Sequence, residues 1–426
     1  MALVEQGGLW HLPAMSTTPQ KTSFPKNQIK VLLLEGVHAS ALELFGREEF
    51  QVEALKTALP ESELIEKIRD IHILGIRSKT QVRAPALAEA RRLITLGCFC
   101  IGTNQVDLAA ANRSGIPVFN APFSNTRSVA ELMIAEIIAL ARQLGDRSRD
   151  VHEGKWRKVA TGSSEVRGRV LGIVGYGHIG SQLGVLAEAL GMRVIFYDHA
   201  TKLPMGNNRA VATLDECLAQ ADFVSLHVPE TPQTRDMIGE AQLATMKKGS
   251  YLLNASRGTV VVIPALVEAL RSGHLAGAAV DVYPEEPESN GDDFQTPLRG
   301  LPNVILTPHI GGSTVQAQEA IGREVATSLI KFVNSGATTG AVNFPQVEMP
   351  MTPGRHRILN VHRNVPGVLR DINRIVSDHN ANIESQVLST DPTIGYLIMD
   401  LNQEVSVEVN RAVAALPTNI KTRILF

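Results

Sequence analysis

The chain has 426 residues, of which 44% are hydrophobic and 20% charged, enough apolar material for about three folded domains and too much for disorder as the dominant state. With 41 Lys and Arg against 43 Asp and Glu, the net charge of -2 gives no electrostatic drive toward nucleic acid or an anionic membrane surface. Cys98, Cys100 and Cys217 are too few for a disulfide framework or a zinc site, no apolar run approaches a membrane span of roughly 18 residues, and no secretory leader opens the chain, so a cytoplasmic protein without a metal centre is expected.

Residues 1–28 are rich in Gly, Thr, Pro, Ser and Gln without periodicity and are expected to form a flexible tail. Ile29–Leu34, Ile71–Ile76, Leu93–Leu96 and Val118–Phe119 then read as short buried strands with helix-patterned stretches between them, the alternation of a parallel sheet with crossovers. Ser128–His152 reads as one long amphipathic helix, suited to bridging two lobes or building a subunit contact. A second alternation runs from Val170 to about Leu306, with strands at Val194–Tyr197, Phe223–Val228, Ser250–Asn254 and Gly277–Val282. Ser313–Val333 is helical in pattern and returns the chain to the first lobe. Residues 336–340 and the Pro-containing stretch to Gly354 read as linker, with 341–354 assigned to it outright. Beyond it, strands near Ile358–His362, Ile383–Leu388, Tyr396–Leu401 and Thr422–Phe426, with helices Gly367–His379 and Val405–Leu416, give the βαββαβ order of a split, ferredoxin-like unit.

The most informative segment is Gly175-Tyr176-Gly177-His178-Ile179-Gly180. It follows the Val170–Val174 strand, opens a stretch of helical spacing, and is followed by a strand ending at Asp198, which is the context that a dinucleotide fingerprint requires. Gly175 permits the tight turn, Gly177 removes the side chain that would block a pyrophosphate, and Gly180 lets helix and strand approach; free N–H groups around His178 and Ile179 face the phosphates. Asp198 accepts hydrogen bonds from a ribose and repels a 2′-phosphate, so NAD is expected rather than NADP. A glycine turn closing an ordinary βα unit is the bland alternative, and the full context weighs against it. The fold class expected is α/β, with two Rossmann-like doubly wound parallel-sheet domains plus the C-terminal ferredoxin-like one.

Asn254-Ala255-Ser256-Arg257-Gly258, Asp281-Val282-Tyr283-Pro284-Glu285-Glu286-Pro287 and Thr307-Pro308-His309-Ile310-Gly311-Gly312-Ser313 each follow a strand, at the edge where doubly wound sheets keep their ligand crevice. The fork of Arg257 suits a carboxylate, and its charge polarises a neighbouring oxygen. A histidine beside a buried carboxylate is a tuned acid/base pair. Singly, Arg257 reads as a surface ion pair, Glu286 as a solvated loop charge and His309 as a structural histidine. As a set on three strand-end loops they point to catalysis.

Together with residues 97–107 and 120–131, the fingerprint and the segments 254–261, 281–287 and 307–314 resemble the D-isomer-specific 2-hydroxyacid dehydrogenases. Within them they are most similar to the bacterial-type phosphoglycerate dehydrogenases that carry one C-terminal ACT domain. The resemblance covers nearly everything after Lys30; the tail is the departure. It implies NAD-dependent oxidation of 3-phospho-D-glycerate to 3-phosphooxypyruvate, opening L-serine synthesis, with reduction of 2-oxoglutarate to 2-hydroxyglutarate as a side activity. Residues 29–124 and 313–340 are then the substrate-binding domain, 125–312 the NAD-binding domain and 355–426 the ACT domain.

By the same resemblance His309 is the acid/base, Glu286 its partner and Arg257 the substrate-orienting residue. Asp281 contacts the nicotinamide end, and Ala255, Ser256, Arg257, His309, Ile310, Gly311 and Gly312 line the cofactor pocket. His227 borders the adenosine or simply packs. Arg77 and Ser78 are substrate contacts, with Lys56, Lys79 and Lys158 left open. Trp156 resembles a subunit-contact residue, so a homo-oligomer is expected, as a tetramer. His362, Asn364 and Asn382 match serine-binding positions, making L-serine the expected feedback effector. Two other readings stay open. One is a glyoxylate or hydroxypyruvate reductase, which needs no phosphate-binding cluster. The other is an NAD-sensing binding protein that does not turn over.

Overall fold

The computed structural model describes residues 23–287, 291, 293–352, 354–402 and 406–426. Most of the expected tail lies outside these residues, but its last part does not hang free. Residues Lys26–Gln28 form a short 3-10 helix, Lys26 pairs with Glu48, the Phe24 ring packs on His72, and the Ser23 N–H bonds to the carbonyl of Phe426.

The first sheet has five parallel strands in the order β2-β1-β3-β4-β5: β1 (Lys30–Leu33), β2 (Gln51–Ala54), β3 (Ile73–Ile76), β4 (Thr95–Cys98) and β5 (Val118–Phe119). Helices α1 (Ala39–Arg47), α2 (Glu61–Ile68), α3 (Ala84–Glu89) and α4 (Leu108–Arg113) connect them. The central strands β3 and β4 are buried at every position, as strands covered on both faces must be. Strand β2 is unexpected from sequence: Gln51-Val52-Glu53-Ala54 is polar and mostly exposed because it forms the sheet edge.

The crossing to the second lobe is made by α5 (Thr126–Arg142) and α6 (Leu144–His152), where one continuous helix was expected. The break is at Gln143, whose backbone is left-handed (φ 53°), and α6 buries none of its residues. The second sheet is also parallel, with seven strands in the order β12-β11-β10-β9-β6-β7-β8. They are β6 (Val170–Val174), β7 (Arg193–Tyr197), β8 (Arg209–Ala210), β9 (Phe223–Leu226), β10 (Ser250–Asn254), β11 (Leu275–Val280) and β12 (Val304–Leu306). Their crossovers include α7 (His178–Ala189), α8 (Leu214–Gln220), α9 (Glu240–Thr245) and α10 (Ile263–Arg271), and α11 (Val315–Ser335) carries the chain back to the first lobe.

The third sheet is antiparallel, in the order β14-β15-β13-β16, from β13 (His356–Arg363), β14 (Ile383–Thr390), β15 (Ile394–Leu401) and β16 (Asn419–Leu425), with α12 (Val368–Asp378) and α13 (Ser406–Ala414). One hydrophobic core joins it to the first lobe: Leu359, Val361, Tyr396 and Ile398 pack with Phe332 and Val333 of α11. The 341–354 stretch expected as linker is part of that core over its first half, through Ala341, Phe344, Val347 and Met349. Its polar groups are also bound: Asn343 Oδ1 accepts from the Val118 N–H at 2.8 Å, and Thr338 Oγ1 donates to the Pro345 carbonyl at 2.7 Å. Residues 341–349 therefore form a packed strap. Among the described residues no helix is long and apolar enough to cross a membrane, and no cluster of potential metal ligands occurs.

Candidate active site

The fingerprint glycines meet their tasks in geometry. A Cβ on Gly180 would come within 2.3 Å of the Gly175 carbonyl oxygen, and one on Gly175, itself at φ 94°, within 2.7 Å of the His227 carbonyl oxygen. A Cβ on Gly177 would meet nothing within 4 Å, which leaves open space beside the first turn of α7. Asp198 is turned toward that turn, its Oδ2 accepting from the Tyr176 N–H at 2.8 Å and its Oδ1 from the Ala200 N–H at 3.0 Å. A cleft lined by Tyr176, Gly177, His178, Lys202 and Leu203 adjoins it. His227 bonds to Ser225 Oγ through Nε2 at 2.9 Å, while its buried Nδ1 has no partner among the described residues. Burial pushes its imidazole down to about 4, so it is neutral at ordinary pH. The open glycine, the oriented carboxylate and the orphaned ring nitrogen fit a dinucleotide. Across the crevice the Phe123 ring lies 3.8 Å from that of His178.

The three expected catalytic residues come together. His309 Nδ1 sits 2.8 Å from Glu286 Oε2 and 3.1 Å from Oε1. Glu286 Oε1 also accepts from the Tyr283 N–H at 3.1 Å. The Glu286 hydrogen bond outweighs burial and raises the His309 imidazole above its ordinary value. Burial alone would raise the Glu286 carboxyl; the His309 hydrogen bond and charge, the Tyr283 N–H and the nearby Arg257 bring it below its ordinary value instead. His309 is half-exposed and its backbone is left-handed (φ 53°), an uncommon conformation for any residue but glycine. Arg257 Nη1 donates to the Ser256 carbonyl at 2.6 Å, and a Cβ on Gly102 of the first lobe would lie 3.9 Å from Nη2. The guanidinium therefore faces the crevice between the lobes. Gly258 follows because the chain runs hard against the backbone of Tyr283, where a Cβ would lie 1.9 Å from the carbonyl carbon.

The neighbouring residues divide between facing the crevice and building its walls. Ser256 is buried and turns its hydroxyl to Asn254 Oδ1 at 2.7 Å, while Ala255 is only partly buried. Asp281, expected at the nicotinamide end, is 1% exposed and turned to the catalytic loop. Its Oδ1 accepts from Thr307 Oγ1 (2.6 Å) and the Ile310 N–H (2.8 Å), its Oδ2 from the Gly311 N–H (2.8 Å). That makes it the anchor of the loop carrying His309. Gly312 lies against Asn125, where a Cβ would reach Nδ2 at 2.6 Å, so the loop is pinned to the start of α5.

Arg77 and Ser78 follow β3 at the carboxyl edge of the first sheet, and Gln105 Nε2 holds the Arg77 carbonyl at 2.6 Å. Lys56, Lys79, Lys158 and Trp156 are exposed, Trp156 at 84%. The three residues expected to bind an effector are not gathered within one chain. His362 is buried, its Nδ1 2.9 Å from Asn360 Oδ1, and Asn364 Nδ2 donates to the Asp391 carbonyl at 2.7 Å. His362 pairs with Gly395, whereas the strand that follows Asn382 begins opposite Leu401, about 20 Å along β15.

Two residues escaped the sequence reading. Glu136 lies 3% exposed on α5, both carboxyl oxygens without partners among the described residues; burial first, and then the charge of Asp281, push its carboxyl up to about 8. An acid on the apolar face of an amphipathic segment was the available signal. Glu35, beyond β1, was hidden because its partners lie more than 40 residues away.

Residues 134–311 match the family described as D-isomer specific 2-hydroxyacid dehydrogenase, NAD binding domain, and residues 358–421 match the AHAS small subunit-like ACT domain. The chain is 58% identical over 405 residues to D-3-phosphoglycerate dehydrogenase of Dictyostelium discoideum, covering 95% of this chain and 99% of that one. It is 52% identical to the Escherichia coli K12 protein of the same name, over 95% of this chain and all of that one. Among solved structures, D-2-hydroxyisocaproate dehydrogenase aligns with a TM-score of 0.67 at 26% identity, over 74% of this chain and all of that one. An NAD-complexed D-isomer specific 2-hydroxyacid dehydrogenase from Lactobacillus delbrueckii ssp. bulgaricus aligns with a TM-score of 0.65 at 26% identity, with the same coverage. A chain with this fingerprint, this strand-edge triad and relatives matched over almost their whole length is an NAD-dependent oxidoreductase and belongs to the D-3-phosphoglycerate dehydrogenase family of the D-isomer-specific 2-hydroxyacid dehydrogenases.

Proposed function

We propose that the chain oxidises 3-phospho-D-glycerate to 3-phosphooxypyruvate at the entry to L-serine synthesis. The observation that carries this reading is the 2.8 Å contact of His309 and Glu286 beside Arg257, at the mouth of an NAD site. When bound, NAD supplies the acceptor for the C2 hydride. His309 in its neutral form takes the C2 hydroxyl proton through Nε2, and Glu286 on Nδ1 fixes the tautomer and steadies the imidazolium that results. Arg257 holds the carboxylate and polarises the C2 oxygen as its bond to carbon becomes double. Arg77 and Ser78 take the phosphate. Residues 29–124 with 313–340 serve as the substrate-binding domain and 125–312 as the NAD-binding domain.

The ACT domain supports regulation by a small ligand; we take L-serine as the effector and the cytoplasm as the setting. The distance between His362 and Asn382 favours a site completed by a second copy, which fits a homo-oligomer, as a tetramer, with exposed Trp156 as one of its contacts. Reduction of 2-oxoglutarate is a further activity of the same pocket. The test follows NADH absorbance with purified protein, NAD and 3-phosphoglycerate, with and without L-serine. Serine-sensitive turnover is expected. Turnover that ignores serine would retire the regulatory reading, and NAD binding without turnover would move the assignment to another hydroxy acid or to an NAD sensor.

A further inference from the structure

The crevice edge of the first lobe holds a carboxylate to which the catalytic scheme gives no task. Glu35 lies just past β1 with a left-handed backbone (φ 66°), followed by Gly36 in the same region (φ 63°). The Glu35 N–H is fixed to the Thr57 carbonyl at 3.1 Å and the Gly36 N–H to that of Leu55 at 2.9 Å. A non-glycine residue stays in this conformation only where its surroundings impose it, and such sites gather at functional positions. Here the turn sends the side chain across to the end of β3. Oε1 accepts from the N–H groups of Thr80 (2.8 Å) and Arg77 (3.2 Å), and Oε2 from the N–H of Lys79 (2.9 Å). Arg77 Nη1 reaches back to the Glu35 carbonyl at 3.4 Å.

One carboxylate thus takes every backbone N–H from Arg77 to Thr80 except that of Ser78. Among the described residues the Ser78 N–H and hydroxyl have no partner, and the residue is exposed. Ordinary turn capping draws its acceptor from within the turn. This acceptor comes from another strand, 42 to 45 residues earlier, through a disfavoured backbone. The three donors also offset the carboxylate charge, which lets an acid stand behind a loop meant to receive an anion.

We propose that Glu35 is the positioning residue of the substrate loop: by binding the N–H groups of Arg77, Lys79 and Thr80 it leaves the Ser78 N–H and hydroxyl and the Arg77 guanidinium as the outward donors for the substrate's phosphate. This rests on the reading that Arg77 and Ser78 bind that phosphate. The test is steady-state kinetics of Glu35→Gln, Arg77→Ala and the double variant in the full chain with NAD and 3-phosphoglycerate, together with melting temperatures. Glu35→Gln exchanges an acceptor for an amide donor facing the Lys79 N–H. It is expected to raise KM for 3-phosphoglycerate roughly tenfold, with kcat and KM for NAD within about threefold, and to add little to the effect of Arg77→Ala. Inorganic phosphate should compete correspondingly less well. An unchanged KM in Glu35→Gln beside a raised one in Arg77→Ala would overturn the role of Glu35 alone. An unchanged KM in Arg77→Ala would remove the phosphate reading and Glu35's role with it. A uniform loss in kcat and both KM values with a lower melting temperature would reduce Glu35 to a fold residue.

Discussion

At the residue scale, the chemistry turns on protons. Oxidation needs His309 neutral, and Glu286 raises the pH at which it becomes so. The kcat/KM for 3-phosphoglycerate is therefore expected to rise with pH through an inflection above the ordinary histidine value of 6.5, and Glu286→Gln to move that inflection down. His309→Ala should lose about 10²–10⁴-fold in kcat while still binding NAD, as followed by fluorescence titration. Glu136 makes a different prediction. Its carboxyl is raised from 4.5 to about 8, so the folded chain holds a proton that the unfolded chain releases between those values, and stability falls as pH rises through that window. Glu136→Gln cannot ionise. Its melting temperature relative to wild type should climb from pH 5 to 8 and level off above; a flat difference across that range would contradict a buried neutral acid.

At the element scale, the fingerprint offers two glycines with opposite consequences. Gly177→Ala adds a methyl group to open space and should fold normally but weaken NAD binding. Gly180→Ala drives a Cβ into the Gly175 carbonyl and should lower the melting temperature first, by about 1–3 kcal/mol of stability. Calorimetric titration with NAD and thermal denaturation separate the two. These elements were legible in sequence because strand, glycine turn and helix are local. The residues Arg257, Glu286 and His309 were legible as types at strand ends, although only the fold brings them within reach of one another. What escaped was long-range. A polar edge strand such as β2 has no alternation to announce it, Gln143 breaks a helix without being glycine or proline, and the Asp281 bonds that anchor the catalytic loop reach partners 26 to 30 residues further on. The packing of 341–349, the first part of the 341–354 stretch, is hidden for the same reason. Its apolar residues are spaced irregularly because they follow a surface rather than a helix or strand period.

At the scale of the whole molecule, the ACT sheet is fastened to α11 and the 341–354 stretch by a buried arginine, whose counter-charge lies within the sheet, as well as by apolar contact. Arg357 is wholly buried and donates to Asp400 at 2.7 and 2.8 Å, and to the carbonyls of Ser335, Met349 and Pro350 at 2.7–3.0 Å. Asp400→Ala would leave the guanidinium without its counter-charge and is expected to cost about 3–5 kcal/mol, visible in denaturant titration. Earlier cleavage by protease within 336–354 should accompany it.

One of those acceptors, the Ser335 carbonyl, ends α11, and the other end of α11 starts at Val315, six residues after His309. At 21 residues this helix is a rod about 31 Å long, with Thr314 at its head bonded to Ser128 of α5 at 2.7 Å. A rod of that length converts angle into distance. Tilting it by about 2° at the regulatory end carries its first turn sideways by about 1 Å, the scale of displacement that costs an enzyme about a hundredfold in rate. Were the ACT sheet to turn by so little, the far end of α11 would carry the difference between an imidazole in line with the hydroxyl and one beside it.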